Sequence, residues 1–532
     1  MYLPERASRV AVLYEHTEIT YGELRDKTVR VAEALKALRI NAGDRVGILL
    51  SDSPEFITSF VAIVSLGAIA VPINLALRRE DQLFILKDCG AGAAIVEAQA
   101  AETLFQAGDI PTDLKHLLVV SRDGESGSAS KSGTGVPPVN HAQDARATTE
   151  IAGVKAQSFD SAKRAPLDDV FRVRAVHGSE DADAFILYTS GSTGEPKGAV
   201  HRQADIFYTN ETFCREVLEL REGDRLFSSS RLPFAYGLGN GFTFPLLNGF
   251  TSVLCRDKPA PDVVSRVFRE FRPTIFFGVP VVYSMLLEHH RSGNELDTSS
   301  LRLCVSAGEA LPAQLGEDWQ KTFGVEVLDG IGSTEMLHMF MSNHEAEVRY
   351  GSSGKLLTGY EARLIDHEGV ATPNGEAGNL WVRGDSAAMR YWQRPETTSE
   401  TFVDGWVRTG DLYAQDADGF WWHQGRSDDC FKPTGQWVSP IEVERVLLRH
   451  EAVRAAAVVE GFDEHELSCV CAFVVIDGDA VEPDLRAFCE SALPRFKQPR
   501  RYLFVSELPY TATGKVQRFK LREQLRSSEF NL

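Results

Sequence analysis

Short apolar runs alternate with stretches of helical periodicity along most of this chain. Leu24, Val31, Ala32 and Leu35 follow Thr20-Tyr21-Gly22-Glu23, a capping box, at helical spacing, which predicts a helix reaching about Leu38. Gly43-Asp44 then turns the chain into the strand-like run Val46-Gly47-Ile48-Leu49-Leu50. A second helix is expected from Pro54 toward Leu66, ahead of the apolar residues 68–71. Residues 93–96, 252–254, 274–279 and 301–305 continue the alternation, which is the pattern of an α/β fold with largely buried strands. Between residues 121 and 166 the pattern stops, in a stretch rich in Ser, Gly, Ala, Thr and Pro that includes "GESGSASKSGTGVPPVN". So long a structureless segment with few large apolar residues reads as a flexible surface insertion rather than a folded lid, and its deletion is expected to spare activity. After Gly425-Arg426 a new alternation starts, helical over 441–449 and 485–493 and strand-like over 455–459, 470–475 and 502–505. The expected organisation is a large N-terminal domain, 1–426, and a small α/β domain, 427–532.

Charge narrows the partners. The chain has 532 residues, 56 Lys and Arg against 75 Asp and Glu, and a net charge of −19, which argues against nonspecific binding to nucleic acid or to an anionic membrane. The start lacks a basic segment followed by an apolar one, and the longest mostly apolar stretch, 60–73, is too short to span a bilayer, so a soluble cytoplasmic protein is expected. Eight scattered cysteines suit reduced thiols, and the close pair Cys469 and Cys471 is expected to point to opposite faces of a strand. The histidines show no metal-ligand spacing. Oligomeric state stays open, a homodimer included.

The stretch that carries chemistry is "YTSGSTGEPKG", residues 188–198, hung from the strand-like Ala184-Phe185-Ile186-Leu187-Tyr188. Gly191 and Gly194 let backbone amides turn inward around an anion, Thr189, Ser190, Ser192 and Thr193 add hydroxyl donors, and Lys197 adds a mobile positive charge. A P-loop would need Gly-Lys-Ser/Thr opening a helix, whereas Lys197 lies between Pro196 and Gly198. The loop therefore indicates nucleotide phosphates without specifying their fate.

Four further stretches follow: "DGIGSTE" (329–335), "RTGDLY" (408–413), "GRSDD" (425–429) and "TATGKVQR" (511–518). In order and spacing the five motifs resemble the adenylate-forming enzymes, the superfamily of acyl-CoA synthetases, peptide-synthetase adenylation domains and firefly luciferase. The resemblance covers nearly the whole chain outside the insertion. It implies ATP, Mg²⁺ and coenzyme A, and two half-reactions: a carboxylate attacks the α-phosphorus of ATP to give an acyl-adenylate and pyrophosphate, and a thiol then displaces AMP. By the same likeness Lys515 and Thr334 act at the reacting phosphate, Glu335 holds Mg²⁺, and Asp329, Gly330, Asp411 and Arg426 join the loop in binding the nucleotide. Asp428 matches the hinge on which the small domain swings, and residues 432–437, with Lys432, Gly435 and Trp437, match the loop that lines the thiol tunnel.

"RLPFAYGLGNGFTFPL" (231–246) and "GSTEMLHMFMSN" (332–343) closely resemble benzoate-CoA ligases and related aryl-CoA ligases. That likeness assigns Ala235, Tyr236, Ala307, Gly332, Leu337, His338 and Met339 to the acid pocket, where small residues leave a flat slot and Tyr236 packs on a ring. Phe234 and Tyr236 could instead simply fill the core. Met339 stands where a stiffer branched residue is expected, and its flexible thioether would admit a substituted ring or another shape. Residues 468–471 lack the lysines many CoA ligases carry nearby, which turns attention to Arg495, Lys497, Arg500 and Arg501 for the 3′-phosphate of CoA. An aryl-CoA ligase is the leading expectation, an enzyme loading an acid onto a carrier-protein phosphopantetheine is the alternative, and a nonenzymatic nucleotide sensor is the third reading.

Overall fold

The computed structural model describes residues 3–105, 109–121, 149–151, 154–159, 182–190, 195–366, 368–373, 375–427, 429–431, 433, 438–463, 467–476, 482–510 and 516–526. Two nine-stranded sheets organise the N-terminal part. The first runs, in spatial order, Lys355–Leu356, Met339–Ser342, Val327–Gly332, Leu303–Ser306, Ile275–Gly278, Arg225–Ser228, Thr251–Leu254, Val10–Tyr14 and Thr17–Thr20. From Val327–Gly332 to Val10–Tyr14 its neighbours are parallel. The second runs Arg390–Tyr391, Pro196–Arg202, Asp183–Ser190, Ile69–Pro72, Arg45–Leu49, Ala93–Glu97, His116–Val120, Val154–Ser158 and Thr149–Ile151. Helices such as Tyr21–Ala37 and Pro54–Ser65 cover these sheets, so strands like Ile69–Pro72 and Ile275–Gly278 are buried at every position.

The first helix carries the predicted cap: the Thr20 side chain accepts from the Glu23 N–H, and the Glu23 carboxylate accepts from the Thr20 N–H. The second begins on Ser53 with Pro54 in its first turn, where a missing N–H costs nothing. A third, smaller antiparallel sheet contains Glu361–Ile365, Gly378–Arg383, Trp406–Gln415, Phe402–Val403 and Trp421–Arg426. Beyond it lies a three-stranded sheet of Val453–Phe462, Ser468–Ile476 and Arg501–Phe504, flanked by helices Pro440–Leu447, Glu482–Ala492 and Arg518–Arg526.

Two expectations change. Residues 149–151 and 154–158, inside the supposed 121–166 insertion, are strands that extend the second sheet, Val154–Ser158 pairing in parallel with His116–Val120. Val154 and Ala156 alternate inward, and such small residues give too weak a hydrophobic signal to stand out. Cys469 and Cys471 do not point apart, because residues two positions apart on a strand share a face. Their sulfurs lie 3.8 Å from each other. Among the described residues, no helix is long and apolar enough to cross a membrane, and no group of three or more His, Cys, Asp or Glu side chains is placed to hold a metal.

Candidate active site

Strands Asp183–Ser190 and Pro196–Arg202 form a hairpin in which Lys197 faces Thr189 and Pro196 faces Ser190. Thr189, Ser190 and Lys197 therefore stand at the paired end of this hairpin, next to the candidate phosphate-binding residues 191–194 in sequence. Gly191, Ser192, Thr193 and Gly194 lie outside the described residues, as do Asp428, Lys432, Gly435, Trp437 and Lys515.

Lys197 Nζ sits 5.9 Å from the centre of the Tyr391 ring, and the Tyr391 hydroxyl donates to Glu335 Oε1 at 2.6 Å. Burial first, then Glu335, drives the Tyr391 phenol well above its ordinary range, while Arg426 opposes the shift. One phenol ring thus links Lys197, Glu335 and Arg426, which come from three separate sequence motifs. The second carboxylate oxygen of Glu335 has no protein partner among the described residues.

Glu335 and Thr334 lie in the turn between antiparallel strands Val327–Gly332 and Met339–Ser342. The turn is tight. A side chain at Gly332 would put its Cβ 2.5 Å from the His338 carbonyl oxygen, and Leu337 adopts φ +64°, a conformation that costs most side chains energy and concentrates at functional sites. Behind the turn, His201 Nε2 donates to the Thr334 carbonyl at 2.8 Å while Nδ1 lies 3.0 Å from Asp205 Oδ2. The imidazole is completely buried and stacks on Phe185 at 5.2 Å and 16°. Nothing in the motifs points to His201, Asp205 or Tyr391. The signal available for the first two is the four-residue His-to-Asp spacing in "VHRQAD", where a strand gives way to helix Gln203–Thr209.

Strands Trp406–Gln415 and Trp421–Arg426 place Asp411 directly opposite Arg426, with Nη1 3.3 Å from the carboxylate. Gly410, at φ +75°, lets the guanidinium fold over it, since a Cβ there would lie 2.8 Å from Nη2. Asp329 lies within strand Val327–Gly332 and is buried, with Oδ2 accepting from the Leu311 N–H at 3.2 Å. Desolvation dominates, and the carboxyl is pushed up from 3.8 to about 8. Burial first, then the nearby Asp411 and Asp329 carboxyls, hold the Tyr413 phenol well above its ordinary range.

The acid-pocket candidates gather on the apolar side of the same turn. Tyr236 donates to the Val305 carbonyl at 3.1 Å, two residues before Ala307, and its ring centre is 5.7 Å from that of His338. His338 is enclosed by Phe213 and Phe244, at 4.6 and 4.7 Å between ring centres. Burial lowers its pKa to about 3, so the imidazole is neutral at any working pH. Met339 lies against Gly330, where a Cβ would be 2.2 Å from its Cε. Ala235 and Leu337 belong to one buried cluster and Ala307 and Met339 to another, so these candidates straddle the seam between two buried clusters.

Of the four cations considered for the 3′-phosphate, Lys497 is occupied: its Nζ lies 2.7 and 2.6 Å from the two Glu442 oxygens. Arg500 pairs with Asp463 at 2.9 Å, and Arg501 donates to the Phe462 carbonyl at 3.2 Å. Arg495 and Arg500 border one hollow with Ser468 and Gln498.

Residues 4–392 match the AMP-binding enzyme family, and residues 442–515 match the AMP-binding enzyme C-terminal domain. A benzoate–CoA ligase of Thauera aromatica is 41% identical over 529 residues, covering 98% of this chain and 93% of that protein. Among solved structures, the anthranilate CoA ligase AuaEII in complex with anthranoyl-AMP superposes with a TM-score of 0.85 at 37% identity, covering 98% of this chain and 95% of the other. A benzoate CoA ligase from Burkholderia xenovorans LB400 gives 0.82 at 35%, covering 98% and 97%. Motif residues Lys197, Glu335 and Arg426 gathered at Tyr391, and likeness over both matched regions, lead to one conclusion: the chain belongs to the AMP-binding enzyme family, the adenylate-forming superfamily.

Proposed function

We propose that this AMP-forming acid–CoA ligase acts on benzoate or a small substituted benzoate, using ATP and CoA as its other substrates. The observation that supports this reading most directly is the single turn between Gly332 and Met339. It carries Thr334 and Glu335 toward the nucleotide motifs and Leu337, His338 and Met339 toward the apolar seam. A ring held by the second set would present its carboxylate to an α-phosphate held by the first, and positioning of that kind removes much of the barrier to a two-substrate reaction.

In the first step a carboxylate oxygen bonds to the α-phosphorus as the bond to pyrophosphate breaks. Thr334 contacts the α-phosphate in this reading, on a backbone pinned by His201. Lys197 faces the phosphates, Asp411 accepts from the ribose hydroxyls with Arg426 alongside, and Asp329 and Gly330 border the nucleotide. Lys515 stabilises negative charge developing between carboxylate and phosphate. The site fits Mg²⁺, an ion held by one or two carboxylates plus substrate phosphates, because Glu335 offers an oxygen that no described residue occupies. Glu335 would hold the ion, which when bound supplies charge neutralisation at the pyrophosphate. In the second step the CoA sulfur attacks the acyl carbon and AMP leaves. Asp428 serves as hinge, and Lys432, Gly435 and Trp437 line the thiol's path.

The test is to incubate the protein with ATP, Mg²⁺, CoA and a panel of benzoates, cinnamates and aliphatic acids, with products read by mass spectrometry. Benzoyl-type thioesters with AMP are expected. Turnover confined to aliphatic acids would refute the aromatic assignment, and adenylates without thioester would refute free CoA as acceptor.

A further inference from the structure

Asp52 lies outside every nucleotide motif, between strand Arg45–Leu49 of the second sheet and Ser53, the cap of helix Pro54–Ser65. It is 4% exposed, an unusual place for a lone carboxylate. Its Oδ1 accepts from the Leu232 N–H at 3.0 Å, and its Oδ2 lies 3.5 Å from Arg231 Nη1. Leu232 follows strand Arg225–Ser228 of the first sheet, so the carboxylate bridges the two sheets where both strands end. In α/β proteins, ligands bind at the carboxyl ends of such strands.

The Asp52 contact falls on a turn with little freedom. Arg231 donates to the carbonyls of Cys255 at 2.7 Å and Asp257 at 2.6 Å. The Arg231 carbonyl accepts from the Phe234 N–H at 3.0 Å. Immediately after comes the short helix Ala235–Leu238, whose Gly237 packs directly on this backbone: a Cβ there would lie 2.1 Å from the Arg231 oxygen and 2.6 Å from the Ser230 oxygen. Backbone touching backbone transmits displacement, because neither atom has a rotamer through which to yield. Ala235 and Tyr236 stand on this helix, and the Tyr236 hydroxyl is anchored at its far end on Val305.

We infer that Asp52 is a positioning residue for the acid-binding step: by holding Leu232 and Arg231 it sets the placement of Ala235 and Tyr236 and so the fit of the carboxylic substrate. The inference rests on the acid-pocket reading above and extends it to a residue that touches no substrate. Its amide isostere keeps the acceptor for Leu232, whereas alanine removes it.

The experiment is ATP–pyrophosphate exchange, run with whichever acid the wild type accepts, on Asp52→Ala, Asp52→Asn and Arg231→Met. A panel in which no aromatic acid supports exchange would refute the aromatic reading while leaving Asp52 testable on the accepted acid. Asp52→Ala is expected to raise KM for the acid at least tenfold with KM for ATP within twofold, and Asp52→Asn to restore the acid KM to within threefold of wild type. Arg231→Met, which releases the same turn from the other side, should show the same acid-selective rise and decides the matter if Asp52→Ala does not fold. An unchanged acid KM, or acid KM, ATP KM and kcat shifting together in these variants, overturns the inference.

Discussion

Replacing Asp329 by Asn should stabilise the protein at neutral pH, although the residue belongs to a nucleotide motif. Asp329 is fully buried, one oxygen accepts from Leu311 N–H, and Oδ1 has no hydrogen-bond partner among the described residues. Burial raises its pKa from 3.8 to about 8. An unfolded chain would ionise this carboxyl from about pH 4 upward, while the folded chain keeps it protonated until about pH 8. The unfolded state therefore binds fewer protons across that window, and stability falls as pH rises through it. At about 1.4 kcal/mol per pKa unit, the ceiling of the effect is about 6 kcal/mol, reached above pH 8. The Asn variant carries no such dependence. Denaturant unfolding of both proteins at pH 5, 6, 7, 8 and 9 measures the difference, in which all other titrating groups cancel. The advantage of Asp329→Asn should grow with pH by up to about 1.4 kcal/mol per unit and level off near pH 8. Parallel curves, or wild type gaining on the variant as pH rises, would show that the folded protein holds this carboxyl ionised and that the reasoning from burial is wrong.

Two further substitutions probe the site. Gly332→Ala introduces a Cβ 2.5 Å from a backbone oxygen that cannot rotate away, so the turn must open; kcat/KM should fall at least about a hundredfold, roughly 2.7 kcal/mol, and an unchanged acid KM would contradict the placement of the turn. Asp411→Ala removes the acceptor facing Arg426 and should raise KM for ATP by about one to two orders of magnitude, the range for charge-assisted hydrogen bonds, with acid KM unmoved; equal shifts in both would disprove the ribose assignment.

Local signals were readable where one segment decides its own structure. The Thr20 capping box and the short apolar runs give their helix and strands with boundaries close to those observed. Strands 149–151 and 154–158 escaped because residues such as Val154 and Ala156 bury little surface, and pairing with His116–Val120 supplies what the local pattern lacks. The site divides in the same way. Asp411, Arg426 and Glu335 sit in motifs that resemblance identifies, yet their convergence depends on Tyr391, which the sequence places 56 residues from its Glu335 partner. His201 reaches Thr334 across 133 residues, and no pattern along the chain encodes that contact. The Cys469–Cys471 reading failed for a simpler reason, since a two-residue strand period brings the thiols together.

The strand pair that carries Asp411 and Arg426 is also the last pair of strands before helix Pro440–Leu447 and the C-terminal sheet. Ser427 donates from both its N–H and its hydroxyl to the Gly410 carbonyl. Ser439 bonds to the Gln424 carbonyl, and Arg445, on helix Pro440–Leu447, donates to the His423 carbonyl at 2.9 Å. The residues proposed to contact the ribose and those that contact the C-terminal part therefore share one ribbon. Binding free energies at two sites on a common element are coupled in both directions by the same factor. If rearranging the Ser439 and Arg445 contacts changes the affinity of the ribbon for the proposed nucleotide, the nucleotide changes the cost of that rearrangement by the same factor. On the ribose assignment proposed above, one β-ribbon would relate retention of AMP to the arrangement of the C-terminal sheet without a separate signal passing through the core.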